Sequence, residues 1–169
     1  PFGRNLTHCG CGCHRKPSAP ISWSVRLPAL PLPELSLNRY LGYKGHWTRA
    51  EWRDTQRDAW LMLLSQADRQ NFGVDLLGIR LRPFIYPVSI AIRLMGTGRK
   101  TDVPNWTCHY GLKVLVDCLT EPMPSVKKYF GLGIIKNDGM RYVSAYTVTV
   151  DPDGEPSTEV SITKAKEAT

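Results

Sequence analysis

The chain has 169 residues, enough for one ordinary domain with its own core, and a formal net charge of +7 from 22 Lys and Arg against 15 Asp and Glu. Its 42% apolar share is that of a globular protein, and no apolar run approaches the roughly 18 residues of a membrane span. The first residues lack a secretory signal's apolar segment, so a soluble cytoplasmic protein with no membrane partner is expected.

The positive excess favours a polyanionic partner, because each phosphate neutralised by Lys or Arg releases condensed counterions. Five cysteines, three of them at alternate positions, make a poor disulfide framework and fit a reducing compartment.

Residues 1–20 form a basic arm with few aliphatic side chains. Within it His8, Cys9, Cys11, Cys13 and His14 are soft ligands of the kind Zn²⁺ prefers, although one short run of alternate cysteines wraps poorly around a tetrahedron. Two readings stand: a Zn²⁺ site, or an exposed basic arm. From Ile21 the pattern becomes strict alternation, with Trp23, Val25 and Leu27 opposed by Ser22, Ser24 and Arg26, which predicts a half-buried strand.

The Pro- and Gly-rich stretch 28–47 predicts an ordered loop. Thr48 and Glu51 then predict a capping box opening a helix, in which Trp52, Ala59, Trp60, Leu63, Leu64 and Ala67 recur opposite a solvated face of Arg53, Asp54, Arg57 and Asp58. Leu77, Ile79 and Leu81 suggest a short strand. Val88, Ile90, Ile92 and Leu94 predict a clearer one, with Arg93 on its opposite face and Gly96 and Gly98 at its end.

Leu112, Leu115, Val116 and Leu119 mark a helix lying on a sheet, with Lys113 and Asp117 one turn apart beside the apolar stripe. The stretch 121–133, with Lys127 and Lys128, reads as a mobile basic loop, and 134–139 as a turn. Two closing strands, 142–150 and 158–163, are expected to form a hairpin through Asp151-Pro-Asp-Gly154. The order predicts an α+β domain over 21–163, a mixed β-sheet with two main helices packed on it, followed by a flexible tail at 164–169.

Three carboxylates fall at element junctions: Asp102 past a strand, Asp117 in the second helix and Asp138 in a turn. Carboxylate oxygens suit Mg²⁺, which is bound through one or two protein carboxylates plus substrate phosphate, and Lys113 is placed to offset charge on a reacting phosphate. The same residues also have structural readings, as Asp turn formers and as an i, i+4 surface pair. Arg93, Arg99, Lys100, Lys127, Lys128, Lys136 and Arg141 lie near these carboxylates in sequence, as a phosphate-binding rim requires, and Trp106 and Tyr110 suit either core packing or stacking on an unpaired base.

Several pieces together resemble the RusA family of Holliday junction resolvases, typically encoded by phages or prophages. Leu30-Pro-Leu-Pro-Glu-Leu-Ser-Leu-Asn38-Arg-Tyr40 resembles the family's Pro-rich lead into an Asn-Arg-aromatic segment, and Lys100-Thr-Asp102-Val-Pro-Asn105 its K-P-D-x-D-N. Leu112-Lys113-Val-Leu-Val-Asp117-Cys-Leu119 resembles its L-K-x-x-x-D-A-L, and Gly133-Ile-Ile-Lys-Asn137-Asp138 its G-x-x-x-D-D. The resemblance covers about 21–163.

It implies a RusA-like fold and a Mg²⁺-dependent endonuclease, with Mn²⁺ as a possible substitute, that cuts four-way DNA junctions symmetrically as a homodimer. By position Asp102, Asp138 and Asp117 would serve the metal, Lys113 the scissile phosphate, and Asn105 and Asn137 would support the site. The setting would be bacterial cytoplasm or a phage-infected cell. Pro104 replaces the family's second aspartate, Asn137 the first of its paired aspartates, and Trp106 to Tyr110 is an insertion. A junction-binding module without cleavage, or a zinc-linked DNA-associated interaction protein, are the alternative expectations.

Overall fold

The structure, a computed structural model, describes residues 22–42, 45–72, 84, 86–98, 106–122 and 131–165. The alternating segment forms β1 (Ser22–Leu27), whose odd-numbered residues are buried and whose even-numbered ones are exposed, as period-2 patterning requires. A 3₁₀ turn (Pro33–Leu35) and a short α1 (Leu37–Gly42) replace the expected loop, and α2 runs over His46–Phe72.

That start corrects the capping-box reading. Thr48 lies inside the first turn of α2 instead of before it. Gln56, buried on α2, accepts a hydrogen bond from the backbone N–H of Leu32, and so ties the Pro-rich lead to the helix. The charged face is as expected, with Arg57 paired to Asp54 and Asp58 at 3.1 Å each.

Strand β2 (Val88–Met95) buries Val88, Ile90, Ile92 and Leu94. It is followed by α3 (Tyr110–Leu119), β3 (Val143–Asp151) and β4 (Ser157–Lys164). The sheet order is β1-β4-β2-β3: β4 is antiparallel to both neighbours, while β2 and β3 are parallel. The α+β class with a mixed sheet therefore holds.

The expected hairpin does not form, because β2 lies between β3 and β4. Asp151 to Gly154 instead wraps the end of β2: Gly96 N–H donates to the Asp153 carbonyl at 3.0 Å and Gly98 N–H to that of Pro152 at 3.1 Å. No helix among the described residues is long and apolar enough to cross a membrane. The suggested strand at Leu77–Leu81, the arm 1–20, most of the 121–133 loop and the final residues 166–169 lie outside the described residues.

Of the ten residues of α3, seven are buried, and Leu112, Leu115 and Leu119 are at most 1% exposed. Burying each such side chain contributes about 1.5–3 kcal/mol. The helix is held against α2 by the Trp60 indole N–H, which donates to the Gly111 carbonyl at 3.2 Å inside the core.

Gly111 is where three elements converge: a Cβ there would sit 2.9 Å from Pro31 Cβ, 3.1 Å from His109 Nδ1 and 3.3 Å from Gln56 Oε1. Gly111→Ala should therefore destabilise the protein by about 1–3 kcal/mol in denaturant unfolding, through overpacking. Gly42→Ala, where a Cβ meets nothing within 4 Å, should be neutral or stabilising by up to about 1 kcal/mol. Equal effects at the two positions would contradict this packing.

Candidate functional site

The three residues of α3 that escape burial are Tyr110, Lys113 and Asp117, and at i, i+3 and i+7 they form a single stripe. Everything polar that this helix offers therefore lies on one line. Lys113 Nζ donates to Asp117 Oδ1 at 3.0 Å and reaches Asp138 Oδ2 at 3.5 Å.

Asp138 arrives there through backbone hydrogen bonds. After α3 the chain returns along the helix end: Leu132 N–H donates to Cys118, Gly133 N–H to Thr120, and the N–H groups of Ile134 and Ile135 both to Leu119, at 2.8–3.0 Å. The turn is then closed by Asn137, whose Oδ1 accepts the N–H of Gly139 at 2.8 Å. Asn137 thus shapes the turn that presents Asp138.

Desolvation pulls the Lys113 ammonium down, but its hydrogen bond to Asp117 and the charges of Asp117 and Asp138 outweigh that and hold it above its ordinary value. It is a fixed cation at neutral pH, suited to offset negative charge and unsuited to act as a base. With side chains 56% and 27% exposed, the Lys113–Asp117 pair adds only a few tenths of a kcal/mol to stability. The convergence makes little difference to folding.

Lys113 and Asp138 line an open cleft of about 410 Å³ together with His109, Tyr110 and Tyr146. Desolvation pushes the Tyr146 hydroxyl up to about 12, so it stays protonated although 45% of the residue's surface is exposed. Cys118 supplies no nucleophile: burial, reinforced by the Asp117 charge, raises its thiol to about 12.

At the head of α3, Trp106 to Cys108 form a separate turn and His109 is the N-cap. Its Nδ1 accepts the N–H of Gly111 at 3.1 Å. Burial lowers the imidazole to about 4, so it is neutral near pH 7. A neutral ring whose Nδ1 accepts a hydrogen bond carries its own proton on Nε2, which is then no metal ligand.

Tyr110 stacks on Tyr40 at 4.2 Å with an interplanar angle of 11°, and Arg49 lies 5.6 Å above Tyr40. Its ring is committed to that pair, and Trp106 is buried at 9% exposure, so neither ring face is free to stack on an unpaired base.

Arg93 departs from the expected rim. It lies on the sheet face opposite the buried residues of β2 and pairs with Asp151 at 2.9 Å, away from Lys113 and Asp138. Lys136 and Arg141 lie against the Tyr142 ring, at 5.8 and 6.0 Å from its centre, just beyond the turn that carries Asp138. Asp102, Asn105, Arg99, Lys100, Lys127, Lys128 and the His8–His14 run lie outside the described residues.

As a cation site the observed donors fit in kind: two partly exposed carboxylates already share one cation, the Lys113 ammonium, and hard oxygen donors are what Mg²⁺ takes. Among the described residues no group of three His, Cys, Asp or Glu is assembled to hold a metal.

The neutral, buried His109 sets a pH dependence. The unfolded imidazole titrates near 6.5 and the folded one at about 4, so the unfolded chain binds the proton first and stability present above pH 6.5 is lost as pH falls toward 4. The loss attributable to this group is about 3 kcal/mol. His109→Asn, which retains a capping oxygen, should flatten the stability-against-pH curve by that amount between pH 7 and 4, and an unchanged curve would contradict the assignment. Neither a known protein family nor a curated protein matches this chain.

Proposed function

We propose that this protein is a Mg²⁺-dependent, structure-selective endodeoxyribonuclease of the RusA type, hydrolysing phosphodiester bonds in four-way DNA junctions as a homodimer. The observation that carries the reading is the sharing of one ammonium, Lys113, by Asp117 and Asp138 on the only polar stripe of an otherwise buried helix. These are three of the four positions to which the family resemblance assigns catalysis. The net charge of +7 supports a polyanionic substrate.

In this reading Lys113, held charged, lies against the phosphodiester and offsets the negative charge that grows as water attacks phosphorus. Asp138 accepts the water's proton as the new P–O bond forms. The bond from phosphorus to the leaving oxygen breaks, and that oxygen is protonated from solvent. Asp102, Asp117 and Asp138 would hold Mg²⁺, which supplies Lewis acidity toward the phosphodiester.

The homodimer is supported by β3, an edge strand paired only with β2 among the described residues and uncharged from Val143 to Val150. Such an edge, without Lys or Pro, is a ready template for a second copy. A bacterial or phage-infected cytoplasm is the matching setting.

A second reading, junction binding without cleavage, is favoured by two observations: Lys113 already pairs with both carboxylates, and the Asn137 oxygen is engaged in the turn. Cleavage of a labelled four-way junction against a linear duplex separates the two, with Mg²⁺, Mn²⁺ or chelator. Paired symmetric cuts are expected, lost in Asp102→Asn and Asp138→Asn and reduced roughly 100-fold or more in Lys113→Met, whose stability should change by less than about 1 kcal/mol. Retardation of the junction without product under either metal would establish the binding module instead.

A further inference from the structure

Two buried donors at the head of α3 have no acceptor among the described residues. Trp106 and His109 are 9% and 4% exposed, and among the described residues neither Trp106 Nε1 nor His109 Nε2 has a hydrogen-bond partner. Leaving a buried polar group unpaired costs about 1–3 kcal/mol, and the large majority of buried side-chain polar atoms in native proteins are paired. Two on adjoining side chains, whose rings lie 5.5 Å apart and within 16° of parallel, call for an explanation by function.

The sign of the missing partner follows from the N-cap. Because His109 Nδ1 accepts the Gly111 N–H, the neutral ring holds its proton on Nε2, and an indole nitrogen is a donor only. The two groups cannot satisfy each other, and neither has a lone pair for a cation. What fits is an oxygen acceptor. Three further features select an anionic one: the ten-residue helix α3 begins at this point with the positive end of its dipole, Lys113 stands one turn farther along, and His109 and Lys113 line the same cleft.

We propose that the Trp106–His109 turn is a phosphate-oxygen site, in which His109 Nε2–H donates to a phosphodiester oxygen in the cleft, with the Trp106 ring stacked on the imidazole, while Lys113 carries the charge. Asp138 lines the same cleft and repels a multiply charged anion, so the singly charged diester is preferred over free phosphate. Neutral donors add directional recognition without drawing the Asp138 carboxylate away from Lys113. The site deepens the nuclease reading by naming what fixes the substrate's phosphate, and it rests on that reading only in taking DNA as the source of the diester.

The test uses the full chain and two variants. His109→Asn keeps an oxygen to cap Gly111 N–H and removes the Nε2 donor; Trp106→Phe keeps a ring and removes the indole donor. In ¹⁵N–¹H spectra the Trp106 indole signal, assigned by its loss in Trp106→Phe, is followed during titration with a thymidine dinucleotide and, separately, with inorganic phosphate. A saturable downfield shift with the dinucleotide is expected, with affinity reduced roughly tenfold in folded His109→Asn.

A shift produced by inorganic phosphate alone would overturn the diester assignment. An indole signal unmoved by either probe, or His109→Asn binding as tightly as the parent, would mean that these donors meet only buried water and would overturn the site. Dinucleotide binding with no junction cleavage in Mg²⁺ leaves this site standing and removes the nuclease reading, so the two fail separately.

Discussion

The close approach at Gly111 is the constraint from which the rest of the site follows. The backbone of α3 can lie against Pro31 and Gln56 only because residue 111 has no side chain, and the Trp60 indole then reaches the Gly111 carbonyl. Docked this tightly, α3 buries all of its surface except one stripe, and the same contact brings the Pro-rich lead and α2 to the head of the helix. The core has thus selected which helical positions can carry charge before any chemistry is considered.

On that stripe the chain spends a cation and gathers two carboxylates around it. The energetic return in stability is small, since exposed pairs are screened and the Lys-before-Asp order is the weaker orientation for an i, i+4 pair. A carboxylate from the helix and a second from a turn anchored by four hydrogen bonds to the helix end are arranged for electrostatics. The same helix head carries two buried neutral donors that are unpaired among the described residues. Charge, directional donors and an open cleft on one line are what phosphate chemistry needs from a protein.

Local periodicity made much of this legible. Alternation in β1 and β2 and the Leu112–Leu119 stripe are short-range consequences of which face is buried, and they match the observed burial. The Asp151–Gly154 turn does not join neighbouring strands, because turn chemistry reports a reversal without saying which strand lies alongside, and β2 takes that place by non-local pairing. The α2 start differs because Thr48 and Glu51 can be a capping box in pattern while the helix begins upstream at His46.

Alternation placed Arg93 on the face opposite Ile92, yet nearness in sequence to the carboxylates suggested a shared rim; the sheet separates the two. The meeting of Lys113 with Asp138 depends on backbone hydrogen bonds across 25 residues of chain, which no spacing encodes. His109 as an N-cap left one signal, a short polar residue's place taken by His just before an apolar helix, with Gly two positions on.

In the proposed function the carboxylates around Lys113 form a divalent-cation site for phosphodiester chemistry. Paramagnetic broadening by Mn²⁺ tests it without requiring turnover. At substoichiometric Mn²⁺ with junction DNA present, the backbone amides of Lys113, Asp117 and Asp138 should broaden first, while Arg93, Asp151 and Asp153 stay sharp. Broadening that begins at Asp151 and Asp153, or that spares Asp138 at saturation, would contradict it.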